Sequence, residues 1–275
     1  MPKIDLGSVG AVIAPDGGGV FVDQAVQLEA LGYSTIWVTG GPMQHLGQLA
    51  DAVAATEAVR VASGIIAVVK YPVEDVVALY QDLEAKHPGR FVVGLGGAHG
   101  ARPIDTLVAY FDRLDAAGVP QDRRILAALG PRMVDLAAER AAGAYSVLVT
   151  PSYVADTRVQ LRDDTTLALD QIAVYDTDPA SARATARGVL GFLGTMPAYQ
   201  ANFRRMGLTD ADIAEQSDRL IDELVVWGDA ATIAGRVRAQ LAAGADHVAV
   251  SIQPPPDGPF PIDAWTAVST ELGLT

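Results

Sequence analysis

The sequence predicts an eight-stranded parallel β/α barrel with a helical insertion before the last strand. Three observations carry this. First, one unit recurs: an amphipathic segment ends in glycine and a β-branched apolar run follows, around Gly32, Gly118, Gly143 and Gly244. A glycine there suits the left-handed turn that closes a helix. Second, the runs are apolar throughout, as in strands buried on both faces of a parallel sheet. Third, the strand candidates number eight and alternate with helices, which favours closure into a barrel over an open sheet. The chain has 275 residues and half are hydrophobic, enough for a single domain over residues 1–275.

In chain order the strands are "IDLGSVGAVI", "STIWVTG", "VRVASGIIAVV", "RFVVGLG", "RILAALG", "AYSVLVT", "QIAVYD" and "DHVAVSI". In the third, Gly64 interrupts an apolar run, the mark of a bulge or a close backbone approach. Between Asp176 and Asp246 about seventy residues break the rhythm. They read as four helices, "DPASARATARGVLGFLG", "PAYQANFRRMG", "TDADIAEQSDRLIDELVVWG" and "DAATIAGRVRAQLAAG", with Asp178, Thr209 and Asp229 as N-caps. An insertion at that point can cover the barrel mouth or make a subunit contact. A last helix forms near Trp265, after the stiff "PPPDGPFP" connection.

Composition excludes several function classes. The net charge is -13, which argues against nucleic acid, whose phosphates need a basic surface. No basic run suits a membrane surface, and no apolar run approaches the ~20 residues of a span. The absence of cysteine removes disulfides, thiolate nucleophiles and cysteine metal sites, and no metal site is expected. The N-terminus has no secretory layout, so a cytoplasmic protein is expected. No Ser-His-Asp set, HExxH or phosphate loop is present. The scarcity of polar catalytic groups suits an enzyme whose cofactor carries the chemistry.

The stretch "GRFVVGLGGAHG" draws the most attention. Gly94, Gly96 and Gly97 follow a strand, as at the start of the dinucleotide fingerprint G-x-G-x-x-G, but His99 stands where the third glycine is due and Gly100 comes one residue late. Three readings stay open: a nucleotide turn, a tight βα turn with no ligand, and a cofactor contact at the top of a barrel. His99 is either a solvated loop histidine or a proton-transfer group at the C-terminal face, where barrels of this kind place their sites. His45 precedes a helix, and His87 and His247 fall at bottom-side connections; none is assigned a site role. In "AALGPRM", Gly130, Pro131 and Arg132 open a helix whose free N–H groups could hold an anion or could form an ordinary turn. Lys70, Arg102 and Arg132 are the cations expected to offset the overall acidity locally.

These segments, with "HPGRFVVGLGGAHG", "MPAYQANFRRMG" and "SDRLIDELVVWGD", resemble the luciferase-like monooxygenase superfamily. Within it the chain is most similar to deazaflavin (coenzyme F-420)-dependent oxidoreductases of actinobacterial type. The resemblance runs from about Ile4 to Ile252. It implies a barrel, usually a homodimer, that holds the cofactor at the C-terminal ends of the strands and exchanges a hydride with a small organic substrate. It also implies a bulge with a non-prolyl cis peptide at Ser63, Gly64 and Ile65. Cofactor contacts are implied at those residues, at Gly96, Gly97, Ala98 and His99, and at Gly130, Arg132 and Met133, with His99 as the catalytic group. An FMN-dependent monooxygenase and a non-catalytic barrel are the alternatives. One departure stands out. Relatives place an acid and a histidine after the second strand, where this chain has Thr39, Gly40 and Gly41. Proton transfer would then fall to His99 or to water.

Overall fold

A computed structural model describes residues 3–98, 100–254 and 258–275. Ten strands form one sheet: β1 (Val9–Ile13), β2 (Thr35–Thr39), β3 (Arg60–Gly64), β4 (Ile66–Ala67), β5 (Phe91–Gly96), β6 (Arg124–Ala127), β7 (Gly143–Val147), β8 (Thr166–Val174), β9 (Val226–Trp227) and β10 (His247–Gln253). Every pairing is parallel, and β10 bonds to both β1 and β8, so the sheet closes on itself. The short β4 continues β3, and β9 adds only to the end of β8. Eight strands therefore make the barrel, as the alternation pattern predicts.

The helices α1 (Val20–Ala30), α2 (Gly47–Ala55), α3 (Val73–Lys86), α4 (Pro103–Ala116), α5 (Pro131–Arg140) and α6 (Pro151–Gln160) link successive barrel strands. The insertion consists of α7 (Pro179–Leu193), α8 (Pro197–Arg205), α9 (Asp210–Glu215), α10 (Asp218–Leu224), β9 and α11 (Ala230–Ala242), and α12 (Ile262–Leu272) ends the chain. Asp178 caps α7 by accepting from the Ala180 and Ser181 N–H groups, and Thr209 and Asp229 cap α9 and α11. These are the orphan donors that such side chains satisfy. None of the described helices is long and apolar enough to cross a membrane.

Three local expectations are corrected. The long third helix of the insertion is two helices, broken where Gln216 adopts a left-handed conformation, and its "VVW" end becomes β9. Gly143 does not close a helix. It sits in β7, where a Cβ would lie 2.1 Å from the Thr166 carbonyl oxygen; closeness to β8 is what requires glycine there. The first strand is also shorter than "IDLGSVGAVI": Ile4 and Leu6 precede it and fill the barrel interior.

That interior holds Val12, Trp37, Ala62, Val92, Ile125, Tyr145, Ala168 and Ala249. Two large rings from β2 and β7 share the space with alanines, valines and one isoleucine from the other strands. Trp37 and Tyr145 stack with centroids 4.1 Å apart and planes 2° from parallel. The Trp37 indole donates to His247 Nε2 at 2.9 Å, so the imidazole proton sits on Nδ1, which lies 2.8 Å from the Gly7 carbonyl oxygen. Burial pushes the His247 pKa down to about 4, so the ring is neutral at ordinary pH.

Between β3 and β5 the ladder slips. From Ala62 to Ile66 one edge advances four residues while its partner advances three, Val92 to Leu95. The extra residue makes a bulge at Ser63–Ile65, where the sequence resemblance implies one, and the Gly64–Ile65 peptide is cis. Ser63 is fully buried; its hydroxyl donates to the Gly94 carbonyl and accepts from the Gly94 N–H, both at 2.8 Å. A Cβ on Gly94 would lie 1.8 Å from the Ser63 carbonyl oxygen. Gly94→Ala is therefore expected to cost more than about 3 kcal/mol of stability, since backbone must move to admit a methyl group. Gly118→Ala, at a φ of +76° but in open space, should cost only about 1–2 kcal/mol. Urea denaturation measures both, and equal losses would refute the close approach as the reason for Gly94.

Candidate active site

The C-terminal ends of the barrel strands bring most of the sequence-selected residues to one end of the molecule. Gly64 and Ile65 form the bulge after β3, Gly96–Ala98 leave β5, and Gly130–Met133 begin α5. Gly96 is tightly packed: a Cβ there would meet Ala127 at 2.9 Å and the Ile65 side chain at 3.1 Å. Around Gly64 there is ordinary space, with the Trp37 ring 3.6 Å and the Tyr145 hydroxyl 3.7 Å from where its Cβ would be. The bulge thus adjoins the Trp37–Tyr145 pair. Ser63 lies beneath the surface with its hydroxyl committed to Gly94. Met133 is half-buried against the core, and Arg132 is exposed with no ion pair among the described residues. His99 lies outside the described residues.

A residue that the sequence reading missed stands at the centre. Asp170 interrupts the apolar strand β8, "TLALDQIAV". It lies two residues beyond Ala168, whose side chain fills the barrel, and residues two apart on a strand share a face. Asp170 therefore faces the axis, paired in register with Val147 of β7 and Ala249 of β10. Its carboxyl and the Tyr145 hydroxyl act on each other, and apart from that contact Asp170 Oδ1 and Tyr145 Oη are both buried without a hydrogen-bond partner among the described residues. Burial pushes the Asp170 pKa up to about 7, against a smaller opposite pull from the Tyr145 hydroxyl. Burial, with Asp170 adding to it, also raises Tyr145 well above the ordinary phenol range and Tyr199 to about 12. Thr39 Oγ1 and Asn202 Nδ2 are likewise buried without partners. The one sequence signal for Asp170 is an ionisable side chain at an inward position of a buried strand.

The insertion roofs this end. Its helices gather Phe203, Leu220, Ile221 and Leu224 into an apolar cluster that packs on Ile172 and Val174 of β8 and on Leu148. On α8, Tyr199 comes close enough to Asp170 for its hydroxyl to feel the carboxylate. Arg205, the last residue of α8, donates to Asn202 Oδ1 at 3.1 Å and lies over Gly130, 3.3 Å from where a Cβ would be. A cavity of about 280 Å³ opens between α5, α6 and α8, lined in part by Leu129, Pro131, Ser152, Tyr153 and Arg205. Arg205 and Arg132 bracket the α5 N-terminus, whose free N–H groups and dipole favour an anion. The other expected cations are engaged elsewhere: Lys70 donates to the Met43 carbonyl at 2.6 Å, and Arg102 sits 3.7 Å from Asp105.

No protein-family model matches the chain, and no curated protein matches it. Solved structures do. An F-420-dependent secondary alcohol dehydrogenase, solved with an F-420–acetone adduct, superposes with a TM-score of 0.75 at 15% identity, covering 99% of each chain. The coenzyme F-420-dependent tetrahydromethanopterin reductase from Methanopyrus kandleri gives 0.75 at 16% identity, over 98% of this chain and 99% of its own. The oxygenating constituent of 3,6-diketocamphane monooxygenase from Pseudomonas putida, solved with FMN, gives 0.70 at 13%, over 97% of each. Likeness at these identities establishes the fold, a parallel β/α barrel, which is the fold that the sequence resemblance implies.

Asp170 makes a stability prediction. Between about pH 4 and pH 7 the folded chain keeps a proton that the unfolded chain releases, so rising pH through that window costs stability. Asp170→Asn is therefore expected to stabilise the protein by a few kcal/mol at about pH 8 and to be near neutral at about pH 4. Urea denaturation of both proteins at the two pH values measures the difference; a pH-independent difference would show that Asp170 titrates like an exposed aspartate.

Proposed function

We propose that this chain is an oxidoreductase of the luciferase-like superfamily that binds the deazaflavin coenzyme F-420 at the barrel mouth. When bound, the cofactor supplies a two-electron hydride acceptor or donor for a small organic substrate. The observation that carries this reading is two polar atoms at the mouth, Thr39 Oγ1 and Asn202 Nδ2, that are buried without a hydrogen-bond partner among the described residues. Buried polar atoms cost free energy until a partner meets them, and a flat ring with polar edges is such a partner. The two arginines at the start of α5 fit the anionic side chain of the cofactor.

In this reading Gly64 and Ile65 press on the ring, with Ser63 fixing the bulge through its bonds to Gly94. Gly96, Gly97 and Ala98 let the backbone come close to the cofactor. Gly130, Arg132 and Met133 hold the side chain at the α5 N-terminus, and Arg205 adds to them. The α8 helix keeps water from the mouth through Tyr199, Asn202 and Arg205.

Titration with oxidised coenzyme F-420 and, separately, with FMN, followed by cofactor fluorescence, tests the reading. Tight binding of the deazaflavin alone is the expected result. Binding of FMN alone would replace it with a flavin monooxygenase, and binding of neither would leave a non-catalytic barrel. Arg132→Glu is expected to weaken F-420 binding by about tenfold at low salt and less at high salt, since charge acts there across a partly solvated gap. Unchanged affinity would remove Arg132 from the site.

A further inference from the structure

We propose that Tyr145 and Asp170 form an acid pair that holds the oxygen of a carbonyl substrate and moves the proton of the carbonyl–alcohol couple. The proposal rests on the deazaflavin reading and names the substrate class for it.

Geometry puts the pair in place. Both side chains face the barrel axis, Tyr145 from β7 and Asp170 from β8, and the bulge at Gly64 adjoins the tyrosine hydroxyl. Apart from the other member of the pair, each has a buried oxygen with no hydrogen-bond partner among the described residues. Among the described residues, the titratable groups that face Asp170 are Tyr145 from β7 and Tyr199 from α8. Both are phenols, so no described cation there holds the carboxyl ionised. A protonated carboxyl beside a phenol offers two O–H donors, and a carbonyl oxygen offers two lone pairs. Such a pair in an apolar site stabilises charge that develops on that oxygen. The loop after β2 supplies no acid, only Thr39, Gly40 and Gly41, so Asp170 fills a role that the loop leaves open.

The step balances. As the carbonyl carbon accepts a hydride from the reduced deazaflavin, the C=O π pair moves onto oxygen. The Asp170 O–H bond breaks, its proton forms the alcohol O–H, and Asp170 is left as a carboxylate that regains a proton from water. In reverse, the Asp170 carboxylate takes the hydroxyl proton as hydride leaves carbon. The Tyr145 hydroxyl donates to the oxygen throughout and stays protonated.

The test uses the full chain in three forms: wild type, Asp170→Asn and Asp170→Glu. Carbon-13 NMR of aspartate carboxyls in the cofactor-free protein should show one titration near pH 7 that is missing from Asp170→Asn. Reduced coenzyme F-420 is then mixed with acetone, cyclohexanone or acetophenone, and its reoxidation is followed. Wild type should reoxidise it with at least one ketone, at a rate that falls tenfold per pH unit above about pH 7. Asp170→Asn should be slower by about a hundredfold or more with F-420 affinity unchanged, and Asp170→Glu should recover part of the loss. A carboxyl that titrates in the ordinary aspartate range overturns the proposal. So does an Asp170→Asn rate equal to wild type. If wild type binds F-420 but reduces no ketone, the carbonyl pair is wrong while the cofactor reading stands. If it binds no F-420, both fall.

Discussion

The Trp37–Tyr145 stack is the constraint on which the barrel end of this protein depends. Two aromatic rings lying flat on each other across the axis occupy space that eight strands would otherwise divide. Alanines at 62, 168 and 249 make room for the rings, and Val12, Val92 and Ile125 fill the rest of the interior. At the lower end, His247 closes the stack through the indole N–H, and a Cβ on Gly10 would lie 2.6 Å from the Thr35 carbonyl oxygen and 2.7 Å from the imidazole. At the upper end the stack makes a floor that aims the Tyr145 hydroxyl at Asp170 and backs the bulge at Gly64. A close-packed interior has no slack to absorb a change at one of these positions, so the floor and the polar groups on it are a single arrangement.

The charge distribution follows a different logic. The chain as a whole is strongly acidic, but its mouth is not. Asp170 shares its surroundings with phenols, and the arginines at 132 and 205 gather where α5 begins. Distant acids are screened by solvent and salt, whereas groups facing the barrel interior act at short range and low dielectric. The net charge thus describes how the surface meets other macromolecules and says little about what the mouth prefers.

Much of the fold was legible in the sequence. Alternation gave the barrel, cap residues at 178, 209 and 229 marked three helix starts, and Gly64 in an apolar run marked the bulge. Those signals are local, and local rules suffice for them. What stayed hidden depends on contacts far apart in sequence. Gly143 follows a helix, so it read as a helix end, but β8 is what leaves it no room. Asp170 is one acid in an apolar strand, and only its neighbours across the barrel show that it is buried beside Tyr145. Arg205 lies on the insertion, and its place over Gly130 comes from the packing of α8, which no spacing encodes. The loop after β5 was legible as a glycine-rich turn, although His99 lies outside the described residues.

The separate apolar cluster of the insertion has a consequence for how such a chain changes over time. Phe203, Leu220, Ile221 and Leu224 anchor the roof, with Tyr199 packed against them, while Arg205 reaches over Gly130. Anchoring and lining are thus carried by different side chains of the same helices. Replacement of a lining residue spares the anchor, and a duplicated copy of this gene can drift toward a new molecule at the mouth without first losing its ability to fold.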